Sequence, residues 1–332
     1  RIFTPMHRPA RGALYVMPGV HHEGVSDPRM MRFCSVLAHA GIVVGSPFIP
    51  DLVDLKLSEA AVEDTIHSVQ AFLDLDELPA GVRPGLFCIS TASILGVHAV
   101  ADSRLSARLG GLVLFGGFAD WARSLHFMLT GTMANGDQID PDPLNRSVIF
   151  MNMIPWLPGA PEDPEVLREH WVRFVHATWE KPEMKIDGRY LRVAEALAEE
   201  AEPEWRELFE VGAALRPGGV GILEGALKRW KGPRTVWLDP APKLCQVTCP
   251  VYIVHGREDV VIPWTEAAEL EAMVPTRNHA GTWVTGFYDH TGHTGLLRQL
   301  LRLPLLPVEL WRSIGIVWAF VRAAGIKRSQ TA

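Results

Sequence analysis

Short apolar runs alternate with helical periodicity through the first third of the chain. Each run begins with Gly, and the runs cover residues 12–19, 41–50, 85–89 and 111–117. Runs of this kind predict buried strands. Helical patterns lie between them, over residues 28–41, 58–75 and 92–102. Strand and helix in this alternation predict right-handed crossovers and a mostly parallel sheet.

Two of the predicted helices carry their own start signals. Pro28 follows Asp27 and suits a first helical turn, where the N–H that proline lacks has no intrahelical partner anyway. Gly41 closes the same pattern, as glycine often does at the end of a helix. Ser58 precedes the second pattern, and we expect it to be the N-cap, because a serine hydroxyl can accept a backbone N–H of the first turn.

The alternation stops after residue 119 and returns near residue 243. Residues 120–242 show no strong strand pattern but many Trp, Met, Pro and Glu, and such a stretch is too long for a loop in a compact domain. A strand pattern at 249–256, a helix at 263–273 and a strand at 281–290 follow. We therefore expect an α/β core of residues 1–119 and 243–332, with an inserted helical cap over residues 120–242.

The composition of the chain argues against a nucleic-acid partner and against a disulfide framework, and it agrees with the predicted α/β core. The 332 residues are 48% hydrophobic and 21% charged, with a formal net charge of −6, which gives no electrostatic footprint for nucleic acid. The cysteines are too few for a disulfide framework in a chain of this length. We expect them to be reduced and mostly buried; they are Cys34, Cys88, Cys245 and Cys249.

Both ends of the sequence bear on location. The first residues, RIFTPMHRPARG, lack the apolar core of a signal peptide. The most apolar segment lies near the carboxyl end, but its continuous stretch, 314–321, is too short to span a bilayer and predicts a terminal helix packed on the core. We expect a cytoplasmic protein with no integral membrane segment, and the sequence allows a homodimer.

The candidate chemistry begins in the segment CISTAS, residues 88–93. Ser90 stands where a strand pattern gives way to a helical one, which is the context of the G-x-S-x-G nucleophile turn. The glycines of that motif let strand and helix approach each other around a strained residue. Cys88 and Ala92 occupy their places here, and both are small. The ordinary interpretation of a serine at this point is a helix N-cap.

Two later segments contain the residue types that a nucleophilic serine needs. Asp259 follows the strand pattern 249–256, where a carboxylate can orient a general-base histidine, although Gly and Asp also favour ordinary turns. His290 and His293 come at the end of the last strand pattern. Together they give the chain order Ser90, Asp259, His290, with His293 as the alternative base.

With these residues in place, the chain resembles the α/β-hydrolase family. The matching segments are the strand 12–19 with its PGVHHEG turn, CISTA, HGREDVVIP and YDHTGH. The resemblance implies an α/β-hydrolase fold in which Ser90 attacks an acyl carbon, His290 takes the proton and Asp259 orients the imidazole. It also implies an oxyanion hole made by the backbone N–H groups of Thr91 and Val20.

Further residues are candidates for substrate contact. His21 follows the predicted oxyanion loop, and Trp121, Phe127 and Met128 follow the fourth strand pattern. These three cap residues either line an apolar acyl pocket or form the core of the cap itself. A four-histidine metal site made by His21, His22, His290 and His293 lacks the usual ligand spacing, so we expect no metal and no cofactor.

The sequence therefore predicts a serine hydrolase that cleaves a carboxylic ester, with an apolar or medium-sized small molecule as its substrate. Amide, lactone, thioester and C–C bond cleavage would use the same residues. The alternative is a catalytically inactive α/β-hydrolase scaffold that binds a ligand or a partner. The two missing motif glycines favour that alternative.

Overall fold

The structure is a computed structural model that describes residues 1–230, 233–286 and 306–326. Contacts between residues divide the chain into two compact units. The first unit comprises Arg1–Ala119 and Leu238–Ala332, and the second comprises Asp120–Trp237.

A seven-stranded sheet organises the described part of the first unit. The strands are β1 (Ile2–Phe3), β2 (Gly12–Met17), β3 (Ile42–Gly45), β4 (Gly85–Ile89), β5 (Gly111–Phe115), β6 (Val251–Gly256) and β7 (His279–Thr285). Their order across the sheet is β1-β3-β2-β4-β5-β6-β7. Only the β1–β3 pair is antiparallel, and each of the other adjacent pairs is parallel. The predicted mostly parallel sheet is confirmed.

Helices connect the strands and make up most of the second unit. In chain order they are α1 (Pro28–His39), α2 (Pro50–Val53), α3 (Ala60–Leu73), α4 (Ala92–Ala101), α5 (Trp121–Thr130), α6 (Arg146–Met153), α7 (Pro164–Thr178), α8 (Tyr190–Glu200), α9 (Arg206–Gly212), α10 (Gly219–Trp230), α11 (Ala241–Leu244), α12 (Glu266–Met273) and α13 (Leu306–Ala323). Helices α5 to α10 belong to the second unit, where Trp171, Phe174 and Phe209 are among the fully buried side chains.

Several strands are shorter than the apolar runs that predicted them. The run 41–50 contains β3 only as far as Gly45, because Pro47 and Pro50 have no N–H to give to a ladder, and Pro50 instead opens α2. Strand β7 covers His279–Thr285 rather than 281–290. Residues 287–290 lie outside the described residues.

Helix starts follow the predicted signals in one case and depart from them in another. The Asp27 carboxylate accepts the N–H groups of Arg29 at 2.7 Å and Met30 at 3.4 Å, and so caps α1 as the Asp-Pro signal suggests. The N-cap position of α3 is Glu59, one residue after the predicted Ser58, but the Glu59 side chain makes no capping hydrogen bond. The hydrogen bond expected of the cap is made by Ser58. The Ser58 hydroxyl accepts the N–H of Ala61 at 3.4 Å and donates to Asp51.

The carboxyl-terminal helix and the cysteines match the expectations from sequence. Ala319 and Ala323 of α13 belong to the buried cluster that covers the central strands, so the helix packs on the core. Within the described ranges, no helix is long and apolar enough to cross a membrane. The four cysteines are free; only Cys245 is exposed, and the others are buried.

Candidate active site

Ser90 occupies the turn between β4 and α4 in a left-handed backbone conformation. Its φ is +56°, a value that costs a residue with a Cβ about 1–2 kcal/mol. Its N–H donates to the Phe115 carbonyl at 2.7 Å, and its carbonyl accepts the Ser93 N–H at 3.0 Å. Backbone hydrogen bonds on both sides therefore hold Ser90 in this conformation, which is the geometry of a strained strand-to-helix nucleophile turn.

The turn accommodates Cys88 where the motif has a glycine, because α4 has a glycine, Gly96, at the position that faces the cysteine. A Cβ placed on Gly96 of α4 would lie 2.2 Å from the Cys88 sulfur and 3.2 Å from the Cys88 Cβ. Cys88 therefore fills the volume that a side chain at position 96 would occupy. Burial raises the pKa of the Cys88 thiol far above its ordinary range, so this cysteine is a core residue and not a nucleophile.

The loop after β2 comes into direct contact with the turn. A Cβ on Gly19 would lie 3.1 Å from both the Ile89 carbonyl oxygen and the Ser90 Cβ, which is tighter than ordinary contact, so this close approach favours glycine. The next residue, Val20, donates its N–H to the Thr91 hydroxyl oxygen at 3.0 Å. The structure thus brings together the two residues that sequence analysis assigns to the oxyanion hole, and it directs the Val20 N–H to a side chain of the turn.

Asp259 lies in the loop after β6 and is fully buried. Its Oδ1 accepts the N–H groups of Val261 at 2.8 Å and Ile262 at 3.0 Å. Its Oδ2 lies 3.3 Å from the position that a Cβ on Gly116 would take. Gly116 directly follows β5, and Phe115 at the end of β5 accepts the Ser90 N–H. Ser90 and Asp259 are therefore both held at the carboxyl end of β5.

His255 contacts the same carboxylate, although sequence analysis gave it no role. The side chain is fully buried, with Nε2 2.9 Å from the Ile262 carbonyl and 3.6 Å from Asp259 Oδ2. A carbonyl only accepts, so Nε2 carries the proton and donates to it. His255 thereby braces the loop that holds Asp259. The available signal was a histidine four residues before an aspartate, at the end of a strand.

The predicted bases, His290 and the alternative His293, lie outside the described residues. The four-histidine metal site considered from the sequence would need both of these residues. Within the described residues, His21 stacks on His22 with ring centroids 4.8 Å apart. His21 Nδ1 accepts the Glu23 N–H at 3.2 Å, and Nε2 lies 3.7 Å from Asp27 Oδ2. Both ring nitrogens of His21 thus interact with groups of its own loop.

Asp27 carries a strongly perturbed carboxyl group beside this loop. Burial by itself would raise its pKa, but hydrogen bonds and charge from Arg29 outweigh that effect and lower the pKa of Asp27 to about 2. Arg29 contacts the carboxylate through Nε at 3.2 Å and Nη2 at 2.6 Å. The carboxylate is therefore ionised at neutral pH, where it caps α1 and faces His21.

The three candidate substrate contacts in the second unit lie on α5. Their side chains are largely buried, with 9% of Trp121, 1% of Phe127 and 6% of Met128 exposed. The N-cap of α5 is Asp120, whose carboxylate accepts the Arg123 N–H at 3.0 Å. Burial is compatible both with a core of the second unit and with a closed apolar pocket, so their contact with substrate stays a prediction.

The strand order, the left-handed serine after β4 and the carboxylate loop after β6 define an α/β-hydrolase fold, and the predicted fold class is confirmed. In this fold the serine turn stands at the carboxyl ends of the parallel strands, next to the loop that contributes an oxyanion donor. In the described residues, the left-handed Ser90 stands at that edge of the sheet, and Val20 of the loop after β2 contacts the next residue, Thr91.

The chain was also compared with known proteins. No protein-family model and no curated protein matches the chain. Among solved structures the chain is similar to Est1E from Butyrivibrio proteoclasticus, at 12% identity over 96% of this chain and 93% of that one, with a TM-score of 0.47. It is also similar to a meta-cleavage product hydrolase from Pseudomonas fluorescens, at 14% identity over 95% and 93%, with a TM-score of 0.41.

A third similar structure is an acylaminoacyl peptidase from Pyrococcus horikoshii, at 11% identity and a TM-score of 0.49. The match covers 100% of this chain but only 40% of the peptidase. The strand order and the turn at Ser90, rather than these values, define the fold of the chain.

Proposed function

We propose that the protein is a serine hydrolase that cleaves a small-molecule carboxylic ester through an acyl-enzyme, with Ser90 as its nucleophile. The left-handed backbone of Ser90 is the observation that carries this proposal. An N-cap serine has an extended backbone, and the N-cap of α4 is Thr91 in any case. Strain held by surrounding structure at the end of a parallel strand is typical of a functional position.

Asp259 is proposed as the acid that orients the base. Because its Oδ1 accepts the N–H groups of Val261 and Ile262, its Oδ2 is the oxygen that would accept an imidazole N–H. Such a bond fixes the tautomer of the base and stabilises the imidazolium that forms when the base takes the serine proton. The base is His290, with His293 as the alternative.

In the reaction, the Ser90 Oγ forms a bond to the ester carbonyl carbon, and the histidine takes the hydroxyl proton. The carbonyl oxygen becomes an oxyanion. When its electrons re-form the C=O bond, the bond to the alkoxide breaks, and the alkoxide takes the proton from the histidine. Water then releases the acid from Ser90 by the same steps. The backbone N–H of Thr91, at the start of α4, is proposed as one oxyanion donor because the first N–H groups of a helix lack intrahelical acceptors.

Residues 120–242 are proposed as a cap over the substrate. The separate compact unit Asp120–Trp237 and its apolar residues on α5 support this proposal. An apolar lining made by Trp121, Phe127 and Met128 would favour esters with an apolar acyl or alkyl part. His21, in the loop that approaches the Ser90 turn, is the proposed polar contact.

A direct test measures hydrolysis of p-nitrophenyl esters with acyl chains of increasing length. Ser90→Ala should lower kcat/KM by about 10⁴-fold or more, as removal of a nucleophile does in related mechanisms. Ser93→Ala is the matched control, since the Ser93 hydroxyl is buried three residues away and makes no hydrogen bond within the described residues. Activity of Ser90→Ala equal to that of the wild type would refute Ser90 as the nucleophile, whereas a folded wild type without esterase activity would favour a scaffold that only binds.

The base is identified by the same assay with His290→Ala and His293→Ala. We expect His290→Ala to lose activity as completely as Ser90→Ala, because a nucleophile and its base act as a unit, and His293→Ala to retain it. The opposite pattern would make His293 the base. Full activity in both variants would contradict a triad ending in either histidine.

A further inference from the structure

The second oxyanion donor is the point at which the described geometry departs from the usual pattern. In that pattern the N–H of the loop residue faces the substrate oxygen directly. Here the corresponding N–H, that of Val20, donates to Thr91 Oγ1 at 3.0 Å. A backbone amide has a single proton, so the Val20 N–H is directed to the threonine and not to a substrate.

The Thr91 hydroxyl is placed and oriented to take over that role. A hydroxyl can accept and donate at the same time, and the Thr91 oxygen already accepts from Val20. Thr91 stands at the N-cap of α4, yet its side chain makes no capping hydrogen bond. The side chain is buried, with 7% of the residue exposed. Its own proton finds no acceptor among the hydrogen bonds of the described residues, although burial ordinarily requires one.

The hydroxyl also lies next to the proposed nucleophile. The position that a Cβ on Gly19 would occupy is 3.1 Å from the Ser90 Cβ and 3.3 Å from Thr91 Oγ1. The Thr91 hydroxyl oxygen and the Ser90 Cβ therefore both lie close to the position that a side chain at residue 19 would occupy. A substrate oxygen bonded to the carbon under attack by Ser90 would come within reach of the threonine proton.

We propose that Thr91 is a catalytic residue through its side chain: its hydroxyl donates the second hydrogen bond to the oxyanion, while the Val20 N–H donates to the hydroxyl oxygen and so polarises the hydroxyl. This inference rests on the proposed function. Thr91 would then supply two donors, its backbone N–H and its O–H. The hydroxyl keeps its proton throughout, so the chain of hydrogen bonds from Val20 to Thr91 to the oxyanion strengthens without any net transfer.

The variants Thr91→Val and Thr91→Ser separate the hydroxyl from the shape of the side chain. Loss of one oxyanion donor lowers kcat by about 10²- to 10³-fold, so Thr91→Val should lose about 10²-fold in kcat with an unchanged KM. Thr91→Ser keeps the hydroxyl and should stay within about tenfold of the wild type. Thr65→Val is the matched control, because Thr65 is a fully buried threonine whose hydroxyl makes no hydrogen bond within the described residues.

A second readout distinguishes transition-state stabilisation from a structural role. A trifluoromethyl ketone that adds to Ser90 forms a tetrahedral oxyanion, whereas the matching methyl ketone binds without such charge. Thr91→Val should weaken binding of the trifluoromethyl ketone by the same factor as it lowers kcat/KM, and should leave binding of the methyl ketone unchanged. Equal weakening of both ketones would indicate a packing defect and overturn the inference.

Two further outcomes separate failure of the Thr91 inference from failure of the proposed function. Wild-type kcat in Thr91→Val, in an enzyme that depends on Ser90, would show that the Val20 N–H acts directly and would overturn this inference alone. A wild-type protein that neither hydrolyses esters nor binds the trifluoromethyl ketone would overturn the proposed function together with it. If Thr91→Val does not fold, Thr91→Ala takes its place with the same expected loss.

Discussion

The turn after β4 and the loop after β6 each place one candidate residue at the carboxyl edge of the sheet, and they do so by different physical means. Ser90 has a strained backbone with φ +56°, which fits because Gly19 and Gly96 leave space around it. Asp259 lies in the loop after β6, and residues 257–262, all of which are described, have no positive φ. Hydrogen bonds from Val261 and Ile262 hold its carboxylate.

This difference indicates which kind of substitution each region is sensitive to. A residue held in a strained conformation by close packing is sensitive to the volume of its neighbours, since interiors are packed as densely as crystals. A carboxylate held by hydrogen bonds is sensitive to its charge and its acceptor atoms. Changes of volume should therefore disturb the Ser90 turn, and changes of charge should remove the electrostatic interactions that the carboxylates of Asp259 and Asp27 make.

The largest effect is expected when the charge of Asp259 is removed. Asp259→Asn should lower kcat/KM by about 10⁴-fold, because the base would lose the partner that sets its tautomer. Stability should change little, since the amide oxygen can still accept from Val261 and Ile262. Ester hydrolysis and thermal melting measure the two quantities. Asp74→Asn, at a largely exposed side chain, is the control, and activity of Asp259→Asn within tenfold of the wild type would contradict the assignment.

The volume of the Ser90 turn is tested by Gly96→Ala. The added Cβ would meet the Cys88 sulfur at 2.2 Å, and overpacking of this kind destabilises a protein by about 1–3 kcal/mol. The double variant Cys88→Ala/Gly96→Ala removes that sulfur and should recover most of the loss. Urea unfolding gives the free energies of unfolding for all members of this double-mutant cycle.

Gly221→Ala is the control for this cycle. Gly221 lies in α10, and a Cβ there would meet nothing within 4 Å. The substitution should stabilise the protein by up to about 1 kcal/mol, as alanine does in open helical positions. Purely additive effects of the Cys88 and Gly96 substitutions would show that the two residues do not share space.

A smaller effect tests the charge dependence of a carboxylate-bearing loop. The pKa of Asp27 is lowered from an ordinary 3.8 to about 2, so its ionised form stabilises the folded state above about pH 4, and this contribution is lost as pH falls towards 2. Asp27→Asn keeps a good N-cap but loses the attraction to Arg29, which is worth up to about 1 kcal/mol for an exposed arginine.

Melting temperatures of the wild type and Asp27→Asn, measured from neutral pH into acid, test this expectation. The wild type should be the more stable of the two at neutral pH, and the difference should disappear in acid. A difference that stays constant through the acid range would contradict the lowered pKa of Asp27.

The smallest effect concerns cysteine reactivity at the turn. The thiolate is the reactive form, and burial disfavours it by raising the pKa of the thiol. Iodoacetamide applied to the native protein should modify the exposed Cys245 and leave Cys88 untouched. Peptide mass spectrometry locates the label. Modification of Cys88 at a rate similar to that of Cys245 would show that the Ser90 turn opens readily.

The order of strands and helices in the first unit was predictable, because short apolar runs and helical periodicity reflect burial of each element against its neighbours. The ends of these elements were less predictable: β3 stops before Pro47, and the N-cap position of α3 is Glu59 rather than Ser58. The apparent defect at Cys88 is compensated by Gly96, and the contact of Val20 with Thr91 spans 71 positions. Neither has a local pattern that sequence reasoning could use, and the burial of His255 beside Asp259 also depends on tertiary packing.

The most direct test of Ser90 as the nucleophile is labelling with a fluorophosphonate, followed by peptide mass spectrometry to locate the adduct. The geometry of the turn predicts a single adduct on Ser90, lost in Ser90→Ala and retained in Ser93→Ala. An adduct on another serine, or no adduct on protein that is shown to be folded, would contradict a nucleophilic Ser90.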